Sequence, residues 1–324
     1  MTATAPLLHI GYMKTGSTWL QRHVASDAAT GLGLIAERED LTELLVRPTV
    51  LGYDAGVIRA LVAGPLRECE RRGLVPFISH ERLSGNPISG GFDSTIVADR
   101  LADLFPEARV AIVIREQRSF LASFYNEYVC GGGACSLRAF LHPPPGAKLP
   151  LFTAGFLEYD RLIGYYQERF GRDRVLVLPY ESLRRDPLAF CNRLITFGGG
   201  RPLAAVPTEA TRRSRSWAVL GLQRGLNFAL FRDSSNPAAP VRIPNINRVA
   251  DVASRATPAS VDRWAKRRAA ALIADFVGTR YAESNRRTQA SVEASLGELG
   301  YDLAPEQTVP LAPVRDAGAE VLVP

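Results

Sequence analysis

Leu7-Leu8-His9-Ile10-Gly11-Tyr12-Met13-Lys14-Thr15-Gly16-Ser17-Thr18-Trp19-Leu20 is the stretch whose reading decides the fold. Its first four residues are a short apolar run, which predicts a buried strand, with His9 expected to be a satisfied core residue. The run breaks into a loop framed by Gly11 and Gly16, and apolar spacing then predicts a helix over residues 18–27. A strand that ends in such a loop and restarts as a helix aims backbone N–H groups and a helix N-terminus at one spot, which suits an anion. The two glycines have the separation found in a Walker A loop, G-x-x-x-x-G-K-[ST]. Here, however, Ser17 stands where that lysine belongs, and the only lysine, Lys14, lies inside the loop.

Outward from this stretch, residues 74–79, 109–114 and 174–178 are further apolar runs that predict strands. Between them lie amphipathic segments that predict helices: 54–72, capped by Asp54, kinked at Gly64-Pro65 and stopped by Gly73; then 94–105, 117–129, 152–170 and 188–197. A short helix is expected at 41–46 and a turn at Gly31-Leu32-Gly33. This alternation predicts an α/β fold with a parallel sheet flanked by helices. Ligands of such sheets sit beyond the carboxyl ends of strands, which singles out His80 and Glu81 after one strand and Arg115 after the next. From residue 201 onward only helices are expected, at 218–232 and 258–283, so the α/β core is assigned to 1–200 and a helical part to 201–302 of a single domain. Residues 303–324 read as a poorly ordered tail. The glycine- and proline-rich stretch 130–150, with a short helix at 136–141, is a candidate acceptor-binding lid.

The 324 residues carry a net charge of +6, mostly as arginine, which favours bidentate contacts to phosphate, sulfate or carboxylate. No basic-aromatic repeat or nucleic-acid motif accompanies that charge, so a nucleic-acid partner is not expected. The four cysteines lack a histidine cluster or C-x-x-C spacing, which argues against zinc. Neither a signal sequence nor a membrane-length apolar run is found, and a soluble cytoplasmic protein is expected.

Lys14-Thr15-Gly16-Ser17-Thr18-Trp19, directly after the first strand, resembles the 5′-phosphosulfate loop of sulfotransferases that use 3′-phosphoadenosine-5′-phosphosulfate (PAPS). Two further motifs follow in the family's order. Arg115 and Ser123, eight residues apart after a buried strand, resemble the element that grips the 3′-phosphate, and residues 175–187 match V-L-V-L-x-Y-E-x-L-x-x-D-P. The resemblance implies a P-loop nucleotide-kinase-like sheet and transfer of a sulfuryl group from PAPS to a hydroxyl or amine, leaving 3′,5′-adenosine diphosphate. It implies that Lys14 is the catalytic cation and that Lys14, Thr15, Gly16, Ser17, Thr18 and Trp19 bind the 5′ end of the donor. Arg115 and Ser123 would bind its 3′-phosphate, with Arg213 a further candidate, and no metal is expected.

An acceptor hydroxyl needs a proton acceptor, for which the chain offers both His80 and Glu81. Glu81 is preferred, with His80 as its orienter, because Ser79-His80-Glu81-Arg82-Leu83-Ser84-Gly85 resembles the glycan-modifying, heparan-type branch and its bacterial relatives. That likeness implies a carbohydrate or glycolipid acceptor. A small phenol, alcohol or natural product is the alternative acceptor, and a P-loop kinase or a non-catalytic nucleotide binder the alternative class. Plainer readings stand beside these. Glu81 pairs with Arg82, Arg115 with Glu116 or Glu107, the basic run 211–217 is a solvated face, Trp19 and Trp217 are core, and Tyr180 and Glu181 are structural.

Overall fold

The structure is a computed structural model that describes residues 4–25, 28–147, 149–207, 215–230 and 246–304. Five strands among the described residues, β1 (Leu7–Gly11), β2 (Leu32–Leu34), β3 (Val75–Ser79), β4 (Arg109–Ile114) and β5 (Val175–Pro179), form one sheet in the order β2-β3-β1-β4-β5, with every pairing parallel. The four apolar runs are four of these strands. β2 replaces the expected turn: Leu32, Gly33 and Leu34 pair with Val75, Pro76 and Phe77. It is an edge strand of three residues whose exposure rises along its length, so it lacks the apolar run by which a central strand is recognised.

Side chains alternate across the sheet, as the two-residue strand period requires. Leu8, Ile10, Ile78, Val110, Ile112 and Val177 face one buried cluster, and Leu7, Phe77, Ala111, Val113 and Leu176 face the other. Crossover helices cover both faces. In chain order these are α1 (Ser17–Leu20), prolonged by a π turn at Gln21–Ala25, α2 (Arg38–Asp40), prolonged by a π turn at Leu41–Val46, α3 (Ala55–Arg72) and α4 (Ser94–Leu104). Then follow α5 (Gln117–Cys130), α6 (Leu137–Leu141), α7 (Tyr159–Phe170), α8 (Tyr180–Arg185) and α9 (Pro187–Gly198). Asp54 caps α3 by accepting from the Gly56 N–H at 2.7 Å, and Gly73 ends it in the left-handed region.

The helical part contributes α10 (Trp217–Leu230), α11 (Ile246–Ala256), α12 (Ala259–Val277) and α13 (Ala282–Gln289). The single long helix expected over 258–283 is two, because Gly278 turns the chain with φ 43° between α12 and α13. Both α10 and α12 pack on α5, and α13 packs on α7. Within the glycine- and proline-rich stretch, α6 is packed down: Ser136 caps the helix and Leu137, Phe140 and Leu141 are buried, Phe140 stacking on Phe152. The candidate ligand Arg213 and the expected tail from residue 305 lie outside the described residues. None of the described helices is long and apolar enough to cross a membrane.

Candidate active site

The loop between β1 and α1 turns through two left-handed residues. Gly16 takes φ 85°, and Lys14 takes φ 66°, the only non-glycine residue with positive φ among the described residues. A β-carbon on Gly16 would lie 2.9 Å from Leu183 Cδ2 and 3.2 Å from Tyr180 Cε2, so the loop sits directly on α8. Gly11 faces inward: a β-carbon there would lie 2.6 Å from Ser17 Oγ and 2.9 Å from Thr15 Oγ1. The glycines are what let the loop fold back over its own hydroxyls. The Thr15 hydroxyl donates to the Tyr12 carbonyl at 2.5 Å, and Ser17 Oγ is buried with no hydrogen-bond partner. A buried hydroxyl without a partner at the start of a helix is an open position for an anion oxygen.

Arg115 leaves the end of β4 and reaches that loop. Its Nη1 donates to the Lys14 carbonyl at 2.7 Å, its Nε to Ser119 Oγ at 3.1 Å, and its guanidinium lies 4.8 Å above the Tyr180 ring. Neither Glu116 nor Glu107 is its partner. Glu107 pairs with Arg174 at 2.7 Å, and Glu116 caps α5 by accepting from the N–H groups of Arg118 and Ser119, both at 2.8 Å. Burial pushes the Arg115 pKa down while the neighbouring Tyr180 and Glu181 oppose that shift. Ser119, Ser123 and Glu127 recur at four-residue intervals and share one face of α5. The first touches Arg115, and the last pairs with Lys14 Nζ at 3.0 Å, which places Ser123 between the two cations along that face. Thr18 is exposed, and Trp19 is half-buried with its ring 5.1 Å from that of His23.

The turn after β3 packs against the same loop. Ser84 Oγ donates to the Gly11 carbonyl at 3.1 Å, and the His80 N–H to the His9 carbonyl at 3.2 Å. His80 is fully buried. Its Nδ1 accepts from the Arg82 N–H at 2.9 Å, which leaves the ring proton on Nε2 to be donated to Thr42 Oγ1 at 2.8 Å, and Thr42 in turn donates to the Arg38 carbonyl at 2.9 Å. Burial lowers the His80 pKa to about 4, so the ring is neutral with both nitrogens engaged. Glu81 pairs with Arg38, Oε1 to Nη2, at 2.5 Å, rather than with Arg82, which is held by Asp93 at 3.0 Å.

Several of these partners carry no motif of their own. Arg38, Thr42 and Glu127 sit far from Glu81, His80 and Lys14 in the chain, and only the packing of the helices brings them in. Arg215, from the basic run, is buried and ion-paired with Asp251 at 2.5 Å, its carbonyl accepting from Asn126 at 3.1 Å. Trp217 stacks on Tyr125, the ring centroids 6.0 Å apart. Glu181 is structural, accepting from the Glu116 N–H at 3.1 Å and the Tyr301 hydroxyl at 3.0 Å, and burial raises its pKa. His9 donates or accepts at Ser79 Oγ, 2.7 Å away, but its Nε2 has no partner, so it is buried without being fully satisfied.

No family model and no curated protein matches the chain. Three solved structures that resemble it are sulfotransferases. One from Alicyclobacillus acidocaldarius is 16% identical, covering 81% of this chain and 100% of its own, with a TM-score of 0.47. The sulfotransferase domain from the curacin biosynthetic pathway is 13% identical, covering 82% and 96%, with a TM-score of 0.33. The mouse sulfotransferase SULT7A1 complexed with PAP is 12% identical, covering 89% of each chain, with a TM-score of 0.31. At these identities and TM-scores the likeness carries no weight for what this chain binds or does.

Proposed function

We propose that this chain is a PAPS-dependent sulfotransferase that modifies a hydroxyl or amine of a carbohydrate or glycolipid. The observation that carries the reading is the 2.7 Å bond from Arg115 to the Lys14 carbonyl, which joins two cations, more than a hundred residues apart, beside the unpartnered Ser17 hydroxyl. These residues fit a nucleotide with phosphate at both its 5′ and 3′ positions. Ser17, Thr15 and the first N–H groups of α1 would hold the 5′ end, and Arg115 with Ser123 the 3′-phosphate. A kinase would need a carboxylate free at the end of β4 for magnesium, whereas both oxygens of Glu116 are committed to capping α5.

The chemistry the donor brings, when bound, is a sulfuryl group on a phosphate leaving group. Lys14 supplies a positive charge where negative charge develops on that leaving group, and so favours the transition state over the ground state. For this its ammonium must exchange Glu127 for the donor. Glu81 accepts the proton of the acceptor hydroxyl or amine. His80, neutral and held at both nitrogens, is a positioning residue for the turn that carries Glu81. The carbohydrate or glycolipid assignment rests on the resemblance of residues 79–85 to the glycan-modifying branch.

Thermal melting with 3′,5′-adenosine diphosphate tests the donor assignment. At a hundredfold excess over its dissociation constant the nucleotide should stabilise the protein by about 2.7 kcal/mol. A shift with magnesium–ATP and none with 3′,5′-adenosine diphosphate would sink the proposal. Radiolabelled sulfate transfer onto a panel of glycans, glycolipids and small phenols identifies the acceptor.

A further inference from the structure

Glu81 is held from two directions by one short segment that carries no motif. Its carboxylate pairs with the Arg38 guanidinium at 2.5 Å. Its backbone is fixed through the preceding residue, because His80 is bonded to Thr42 and Thr42 to the Arg38 carbonyl. The two arms therefore start from the same turn of chain, α2 and the π turn that prolongs it, and converge on one residue. Resting on the sulfotransferase reading above, we propose that Arg38 and Thr42 are positioning residues for the base: Arg38 holds the Glu81 carboxylate aimed, and Thr42 holds the turn beneath it.

The physical case is one of compensation. The Glu81 side chain is 11% exposed, and a carboxylate so removed from water is costly unless a cation or hydrogen bonds replace its hydration. The surrounding groups leave Arg38 as the replacement. His80 Nδ1 lies 3.7 Å from Oε2 but is neutral and bonded to the Arg82 N–H, Arg82 itself is held by Asp93, and Glu39 adds charge of the wrong sign. Arg38 is half-exposed, with its side chain at 49%, so it can be replaced without opening a cavity. Thr42 has a different task. Without its hydroxyl the buried His80 Nε2–H is unsatisfied, which loosens the turn and leaves the charge beside Glu81 unchanged.

The two arms are separable by experiment. In Arg38→Gln, which removes the ion pair that aims Glu81, kcat of sulfate transfer should fall about tenfold or more with KM for the donor unchanged. Arg38→Lys should restore most of that loss. Thr42→Val should lower kcat about tenfold as well. All three variants should keep the melting shift with 3′,5′-adenosine diphosphate. A second readout does not depend on activity: in protein with 13C-labelled glutamate, the resonance that disappears in Glu81→Gln should move at fixed pH in Arg38→Gln, which removes the paired charge, and by less in Thr42→Val. A kcat and a resonance that stay where they were in Arg38→Gln overturn the inference while leaving the sulfotransferase reading intact. If the unsubstituted protein neither binds 3′,5′-adenosine diphosphate nor transfers sulfate, the reading and the inference fall together, whatever the resonance does.

Discussion

On the donor side of the candidate site, the loop between Gly11 and Ser17 makes its shape out of neighbouring residues. Two left-handed residues, a self-bonded Thr15 and the unpartnered Ser17 hydroxyl lie within a few positions of one another, and distant residues, Arg115 and Ser84 among them, clasp the result from outside. On the base side, nothing local suffices. Glu81 and His80 are adjacent in sequence, yet each is set by a residue about forty positions earlier, Arg38 or Thr42. An anion cradle can be built from backbone amides and glycine conformations, which are properties of a short segment. Charge and aim of a buried carboxylate require partners from elsewhere in the fold.

This contrast is open to attack by substitution. The largest effect is expected on the donor side, where Lys14→Ala should reduce sulfate transfer by about 10²–10³-fold, the usual cost of deleting one transition-state contact to a developing anion. Retained activity would mean that the loop binds without stabilising a leaving group. Two buried histidines, His80 on the base side and His9 in the strand that leads to the donor loop, should dominate the response to acid. Burial lowers both His80 and His9 to about 4, whereas an unfolded chain takes up these protons near pH 6.5. The unfolded state therefore binds more protons between those limits, and stability should fall as pH drops from 6.5 toward 4. The loss is on the order of 3 kcal/mol for each histidine. Melting temperatures across that range, compared with His9→Gln, check the sign, because the variant should lose part of the slope. The smallest effect is of opposite direction. Glu127→Gln frees Lys14 from a half-exposed ion pair worth about 0.2–1 kcal/mol, so 3′,5′-adenosine diphosphate should bind a few-fold more tightly by calorimetry. Weaker binding would show that Glu127 orients Lys14 for the nucleotide rather than competing with it.

The same division explains what could be read without coordinates. β1, β3, β4 and β5 were legible because each is buried on both faces and leaves an unbroken apolar run, β5 too although it lies at a sheet edge. β2 was not, since three residues at a sheet edge, one of them Gly33, leave no such trace. The break between α12 and α13 turns on the conformation of Gly278, which looks like any helical glycine in the sequence. The donor loop was legible because its glycine spacing and misplaced lysine are contiguous. Arg38 was invisible: its pairing with Glu81 exists only after α2 packs beside the end of β3. Arg215 shows the reverse error, a basic residue in a basic run that the fold buries against Asp251.

The contacts around the start of α5 tie the site to residues far along the chain. Tyr301 donates to Glu181, Arg118 pairs with Asp302, and Asn285 accepts from Gln117 at 2.7 Å while donating to the Asp302 carbonyl at 2.9 Å. During synthesis the donor loop, both strand ends and the base are all made more than a hundred residues before these braces. A nascent chain that has not yet delivered Tyr301 and Asp302 leaves Glu181 and Arg118 without those partners, next to the arginine that closes the loop. Completion of the cradle thus waits on residues made more than a hundred positions after it, and a chain stopped before residue 301 carries every site residue discussed above on an unbraced frame.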